Sequence, residues 1–245
     1  MKKYEMLLDD SIEVLGCQVF RIRALIDICR QDVASQKDHL PESFNVKAGD
    51  LGGYIAEEDN LSQKGSCWVG PDAVALENAR VRESAIVIGR SAIFGSARVS
   101  GFALVSGRAK VSGLAEIFGS AVVTDSASVT DSVWMMDRAF AGEHAALKGN
   151  ALIFEKSAIM GHACVQGDVA ISGDIKVFDN ASIHGKVSLC GAWTIGGYTR
   201  IYNESTALVA YQEFIAKNPD VAEDIGSVVF YTTGSSDNYS QRPRA

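Results

Sequence analysis

Two of the chain's four histidines, His144 and His162, stand eighteen residues apart. An imidazole can take or give a proton near neutral pH, so this pair is the first candidate for general-base chemistry. Cys164 lies close by in sequence, and the carboxylates Asp125 and Glu143 repeat the same eighteen-residue interval. His144, His162 and Cys164 carry the donor types that zinc takes. The H-x4-H spacing of a convergent site is absent, however, and no metal is predicted. The Asp125 and Glu143 pair reads more simply as a solvated corner. His39 falls in a polar segment and His184 on a polar face. No G-x-S-x-G or other nucleophile motif occurs, and the many serines sit at repeat positions.

The interval of eighteen has a cause. Written in sixes from Gly65, the chain keeps one register without insertion to Tyr202, as in Gly95-Ser-Ala-Arg-Val-Ser and Gly101-Phe-Ala-Leu-Val-Ser. The first place is Gly or, failing that, mostly Asp or Glu; the third is small; the fifth is aliphatic. Alternation of places three and five against four and six is the period of a strand. Gly, Asp and Asn at the first two places suit a bend. Each six is therefore one strand and one corner, with Asp59 to Lys64 a degenerate first copy. Strands so short cannot bury a face alone, so they coil and stack. Constant short turns argue against a β-sandwich.

Three sixes closing a coil of eighteen resemble the left-handed parallel β-helix of hexapeptide-repeat proteins, and that resemblance supplies the handedness and the triangular section. The fold class is thus all-β, a hexapeptide-repeat solenoid of about eight coils at roughly 4.8 Å each, a rod on the order of 40 Å long. Ala73 through Ala181 at place three leave room at the inner corners, while Val81, Val99, Val111, Ile153 and Ile183 fill the axis. Trp193 breaks the small-residue rule and is expected to close the C-terminal end.

Residues eighteen apart stack, which turns the outward places into stripes. One face carries Trp68, Ile86, Leu104, Val122 and Phe140; its neighbour carries Phe118, Met136 and Phe154 beside Trp134 and Leu152. The third, with Lys110, Ser128, Ser182 and Arg200, is mostly polar. Two faces are too apolar to leave in water. Either the chain's own ends cover one, or rods lie side by side in a homo-oligomer, with a trimer favoured and a dimer possible; both can hold.

Residues 1–58 are expected to form an N-terminal β cap with a hairpin around Asp9-Asp10 or nearby, a polar mobile or helical insertion over 30–44, and a lead-in segment. The cap would protect the open first coil from end-to-end pairing. The repeat domain spans 59–202. Over 203–233 the spacing predicts an amphipathic helix starting at Ser205, with Leu208, Tyr211, Phe214 and Ile215 on one stripe and a stop at Asn218-Pro219, then a short strand at Val228. Residues 234–245 read as a disordered tail.

The formal charge of −7, without clustered Lys and Arg, argues against a nucleic-acid partner. The acidic residues are too scattered for a DNA mimic. No apolar run is long enough to span a membrane, and the start, Met1-Lys2-Lys3-Tyr4, is not followed by a signal-peptide core. Five cysteines at irregular spacing, with no CxxC pair, fit reduced thiols and a cytoplasmic protein.

The stretch Val46-Lys-Ala-Gly-Asp-Leu-Gly-Gly-Tyr-Ile-Ala-Glu-Glu-Asp-Asn-Leu-Ser-Gln-Lys-Gly-Ser-Cys-Trp-Val, with Arg21-Ile-Arg-Ala-Leu upstream, resembles the start of the solenoid in bacterial and phage proteins of the YdcK type. Gly49, Gly52 and Gly53 suit tight turns leading onto the first coil, and no helix follows them to make a phosphate cradle. The resemblance implies an acyltransferase, a label that itself rests on fold analogy. It implies acetyl-CoA or another acyl-CoA as cofactor, His144 or His162 as catalytic base, and Met160 and Phe178 beside them at an inter-subunit cleft. The long loop that commonly walls such a site is missing from Gly65 to Tyr202. A non-catalytic binding or scaffolding module, which holds itself or a protein partner through a flat face, therefore stands as the alternative. The partner would be a host factor if the gene is phage-borne.

Overall fold

The computed structural model describes residues 2–29 and 44–219. The expected insertion over 30–44, apart from Phe44, the strand at Val228 and the tail over 234–245 lie outside the described residues.

Hexads become an all-β parallel helix because each first place turns the chain. Every first-place residue from Glu77 to Gly197 has positive φ, glycine or not. The two residues at places four and five then form a strand, such as Leu104–Val105, which pairs in parallel with Ile86–Val87 and Val122–Val123 one coil away on either side. Eight such strands, from Trp68–Val69 to Thr194–Ile195, make one face and count eight coils. The Trp134 face and the polar face join through Cys164–Ile171 and Ser182–Leu189, strands long enough to run through a corner. Ala at place three and aliphatic residues at place five fill the axis, and Val81, Val99, Val111, Ile153 and Ile183 are fully buried.

Carboxylates at the corners do specific work. At most corners with an acidic first place, its side chain accepts the backbone N–H one coil on: Asp131 from Gly149 at 2.9 Å, Asp179 from Gly197 at 2.9 Å, Glu83 from Gly101 at 2.7 Å. Asp125 likewise accepts from the backbone N–H of Glu143 at 2.9 Å. The pair read as a solvated corner is thus an intercoil tie, which helps offset the cost of a left-handed backbone at a residue with a Cβ.

The N-terminal cap is a hairpin, β1 (Tyr4–Val14) and β2 (Cys17–Ala24). Its turn is Leu15-Gly16, both at positive φ as a primed two-residue turn requires, and not Asp9-Asp10. The register skips between Leu7 and Ser11, so the two aspartates sit in a bulge. β3 (Ile28–Cys29) pairs with β4 (Asn45–Val46). β5 (Leu51–Ile55) runs antiparallel to β2 and parallel to Val74–Ala75, carrying the cap's sheet into the polar face of the solenoid. Gly52 and Gly53 therefore lie in a strand, contrary to the expected turns. They are glycines because a Cβ at Gly52 would meet the Trp68 ring at 2.6 Å, and one at Gly53 would collide with the Gly70 and Ala73 carbonyls. Only Gly49 is a left-handed turn residue.

Helix α1 (Glu204–Lys217) follows the last coil. Its N-cap is Asn203, which accepts from Thr206 N–H at 2.9 Å while the Thr206 hydroxyl accepts the Asn203 N–H; Ser205 is already inside the first turn. Ala207 is buried, with Ala210, Tyr211 and Phe214 packed on the core, whereas Leu208 is exposed. The helix seals the end of the axis: Tyr211 stands edge-on to the buried Trp193 ring at 5.4 Å, with Phe214 at 6.4 Å.

Candidate functional site

The solenoid brings His144 and His162 together as their spacing required. Both occupy the second place of a hexad at one corner, and their rings stack in parallel, 4.7 Å between centroids and 3° between planes. Both are exposed. Neither imidazole nitrogen has a hydrogen-bonded partner among the described residues, so nothing fixes a tautomer or orients either ring as a base. His184, by contrast, is held by Ser182, its Nε2 2.9 Å from Oγ. Met160 and Phe178 are half-buried at the edge of the neighbouring face. Phe178 leans away from the histidines, its ring packed over Gly196 in the following coil. Among the described residues no group of three or more His, Cys, Asp or Glu side chains could hold a metal ion.

The two apolar faces differ. Trp68, Ile86, Leu104 and Val122 point outward from the coil yet are buried within the single chain, between 0% and 3% exposed. Trp68 is covered by the cap, against Ile22 and Gly52. Phe44 packs on the cluster of Ile86, Leu104 and Val122, with Ile88 and Phe140 at its margin. On the other face Phe118, Trp134, Met136, Leu152 and Phe154 are all half-buried. Phe118 and Trp134 meet edge to face at 6.0 Å, a pairing aromatic rings favour.

A feature that sequence reading missed lies at the solenoid's start, where Lys3 is 2% exposed and Tyr4 fully buried. Lys3 Nζ donates to the Cys67 carbonyl at 2.8 Å and to Cys67 Sγ at 3.1 Å. The Tyr4 hydroxyl donates to the Leu61 carbonyl at 2.6 Å. Burial pushes the lysine down and the thiol up from their ordinary values, and the tyrosine up, with the Glu58 carboxylate adding to the last. The one sequence signal was Cys67 at a place the repeat gives to alanine. All five cysteines are free thiols.

Fold and surface together define the class as a hexad-built β-solenoid closed at both ends by its own chain. No family model matches the sequence, and no curated protein does. Among the described residues no helix is long and apolar enough to cross a membrane.

Proposed function

We propose that the protein is a non-catalytic binding module of the cytoplasm. Its rods associate side by side through the Trp134 face, three around an axis, and present their polar faces and corners to a protein partner. The observation that carries this reading is the ladder of Phe118, Trp134, Met136, Leu152 and Phe154 at outward positions of consecutive coils. Outward strand places in water are ordinarily polar, and clustered aromatic and Met side chains are the composition of interface cores. The other apolar stripe is already buried within one chain from Trp68 to Val122, with only Phe140 at its margin half-buried. Mass in solution by light scattering tests it. The native protein is expected at a multiple of the 26.2 kDa chain, and Phe154→Glu, which places a charge in the ladder, at a single chain. A native mass of one chain at high concentration would overturn the proposal.

A second reading, acyl transfer by a protein resembling the YdcK type, is favoured by one observation, the stacked His144 and His162. On that reading acetyl-CoA or another acyl-CoA lies along the rod at this corner, against Met160 and Phe178, and one histidine deprotonates the acceptor. The uninterrupted coils and the unoriented imidazoles weigh against it. Calorimetric titration of acetyl-CoA and free coenzyme A decides: one ligand per chain, weakened by His144→Ala or His162→Ala, supports transfer, and no heat at millimolar ligand removes it.

A further inference from the structure

Lys3 is an amine buried without a counter-charge. No carboxylate reaches it among the described residues; its partners are the carbonyls of Cys67 at 2.8 Å and Gly65 at 3.4 Å, and the Cys67 sulfur at 3.1 Å. Cys67 is fully buried, its thiol turned toward the carbonyls of Ser62 at 3.5 Å and Lys64 at 3.6 Å. The thiol proton thus faces the backbone while the sulfur lone pairs face the amine. Lys3 comes from the start of the cap and Cys67 from the first coil, sixty-four residues apart in the chain. An aliphatic pair would fill the same space more cheaply, because a buried polar group costs free energy even when satisfied in part.

We propose that Lys3 and Cys67 are a peroxide-driven covalent clasp, in which Nζ and Sγ join and fasten the N-terminal strand to the first coil. The oxidant is hydrogen peroxide, little larger than water. Lys3 stands beside the exposed Lys2, and local opening of the segment that leads into β1 admits it. In the opened state the thiol gives its proton to water and the thiolate attacks peroxide: an S–O bond forms, the O–O bond breaks, sulfur gives up two electrons, and the second oxygen leaves as hydroxide, which takes up the released proton to become water. Closure returns the sulfenic acid to the amine. The Nζ lone pair then attacks sulfur, the S–O bond breaks, and the departing hydroxyl takes one Nζ proton and leaves as a second water. The product is an S–N sulfenamide. Burial supports this step, since it favours the neutral, nucleophilic form of Lys3.

The test uses the full-length folded protein treated with hydrogen peroxide, cleaved at glutamates and weighed by mass spectrometry. A peptide joining Lys3 to Cys67, about 2 Da lighter than its two parts and released by dithiothreitol, is expected. In Lys3→Arg and Lys3→Met the linked peptide is absent and Cys67 proceeds to sulfinic acid, while the exposed Cys29 oxidises as in the native chain. Peroxide also raises the urea midpoint of the native protein and of neither variant. Recovery of Cys67 from the native protein as free thiol or sulfinic acid, with Cys29 oxidised and no linked peptide, would overturn the clasp.

Discussion

A methyl group is tolerated less at Gly53 than at its neighbour Gly52, because its Cβ would strike two carbonyl oxygens, of Gly70 and Ala73, that belong to the backbone of the first coil. At Gly52 the obstructions are the Ile22 and Trp68 side chains at 2.6 Å and one carbonyl, that of Val69, at 2.7 Å. Side chains can shift and backbone in a sheet cannot. Gly52→Ala is therefore expected to cost about 1–3 kcal/mol, the range of an overpacked core, and Gly53→Ala more, as read by urea unfolding. Tyr4 makes the pH prediction of the same cap. Its buried phenol is held protonated above the ordinary range, whereas an unfolded tyrosine ionises near pH 10. Above about pH 10 the unfolded chain binds fewer protons than the folded one, so stability falls as pH rises. Tyr4→Phe should lose about 1 kcal/mol at neutral pH with its hydrogen bond to Leu61, yet show a flatter alkaline limb in urea midpoints. A limb as steep as the native one would place the alkaline sensitivity elsewhere.

At the scale of elements, the corner and the end plug each separate two physical roles. Asp131 is left-handed and also holds the Gly149 N–H. Asp131→Ala loses the bond and keeps the strain, at about 1–2 kcal/mol; Asp131→Gly loses the bond but relieves the strain and should stay within about 0.5 kcal/mol of native. Equal costs in denaturant unfolding would mean that the backbone angle carries no penalty there. Helix α1 covers Trp193 through Tyr211 and Phe214, so Phe214→Ala should cost about 2 kcal/mol and shift Trp193 emission to the red as water reaches the ring. These elements also mark what the sequence made legible. Hexads predicted each strand, the inward set and the plug at Trp193, because a period of two inside a period of six leaves one way to bury Ala and Val. Stacking at eighteen likewise put His144 on His162. The corner ties were half legible: the acids stood at the right interval, but their donor is a backbone N–H that no residue type announces. That the chain would cover one apolar stripe itself was legible; which one, Trp68 to Val122, and the Lys3–Cys67 contact were not. Both arise where the chain end folds back over distant coils, and local periodicity carries no record of such contacts. The helix stripe missed Leu208 because only the packing on the last coil decides which side of α1 faces inward.

For the whole molecule the consequence is that stability is close to a sum over neighbouring coils, since within the rod a strand such as Ala92–Ile93 pairs with residues eighteen before and eighteen after. Deleting Gly89 to Ser106 removes one full coil and leaves every remaining residue in its column. Ile86 then stacks on Val122, Arg80 on Glu116, and the Glu77 and Glu83 carboxylates meet the N–H groups of Gly113 and Gly119 in place of those of Gly95 and Gly101. The shortened chain should fold, unfold in a single transition, and show a smaller denaturant slope in keeping with the surface it no longer buries. Deleting Arg90 alone removes far less but leaves the Gly89 corner one residue short, so that turn loses its N–H bond to the Gly107 carbonyl and the Ala92–Ile93 strand is pulled out of line with those on either side. That chain should unfold at a lower urea midpoint than the one that lacks a whole coil. Circular dichroism and urea unfolding of the two deletions give the comparison. If the eighteen-residue deletion lowers the midpoint as far as the single one does, the coils depend on contacts beyond their neighbours, and the sealed ends rather than the stacking hold the rod together.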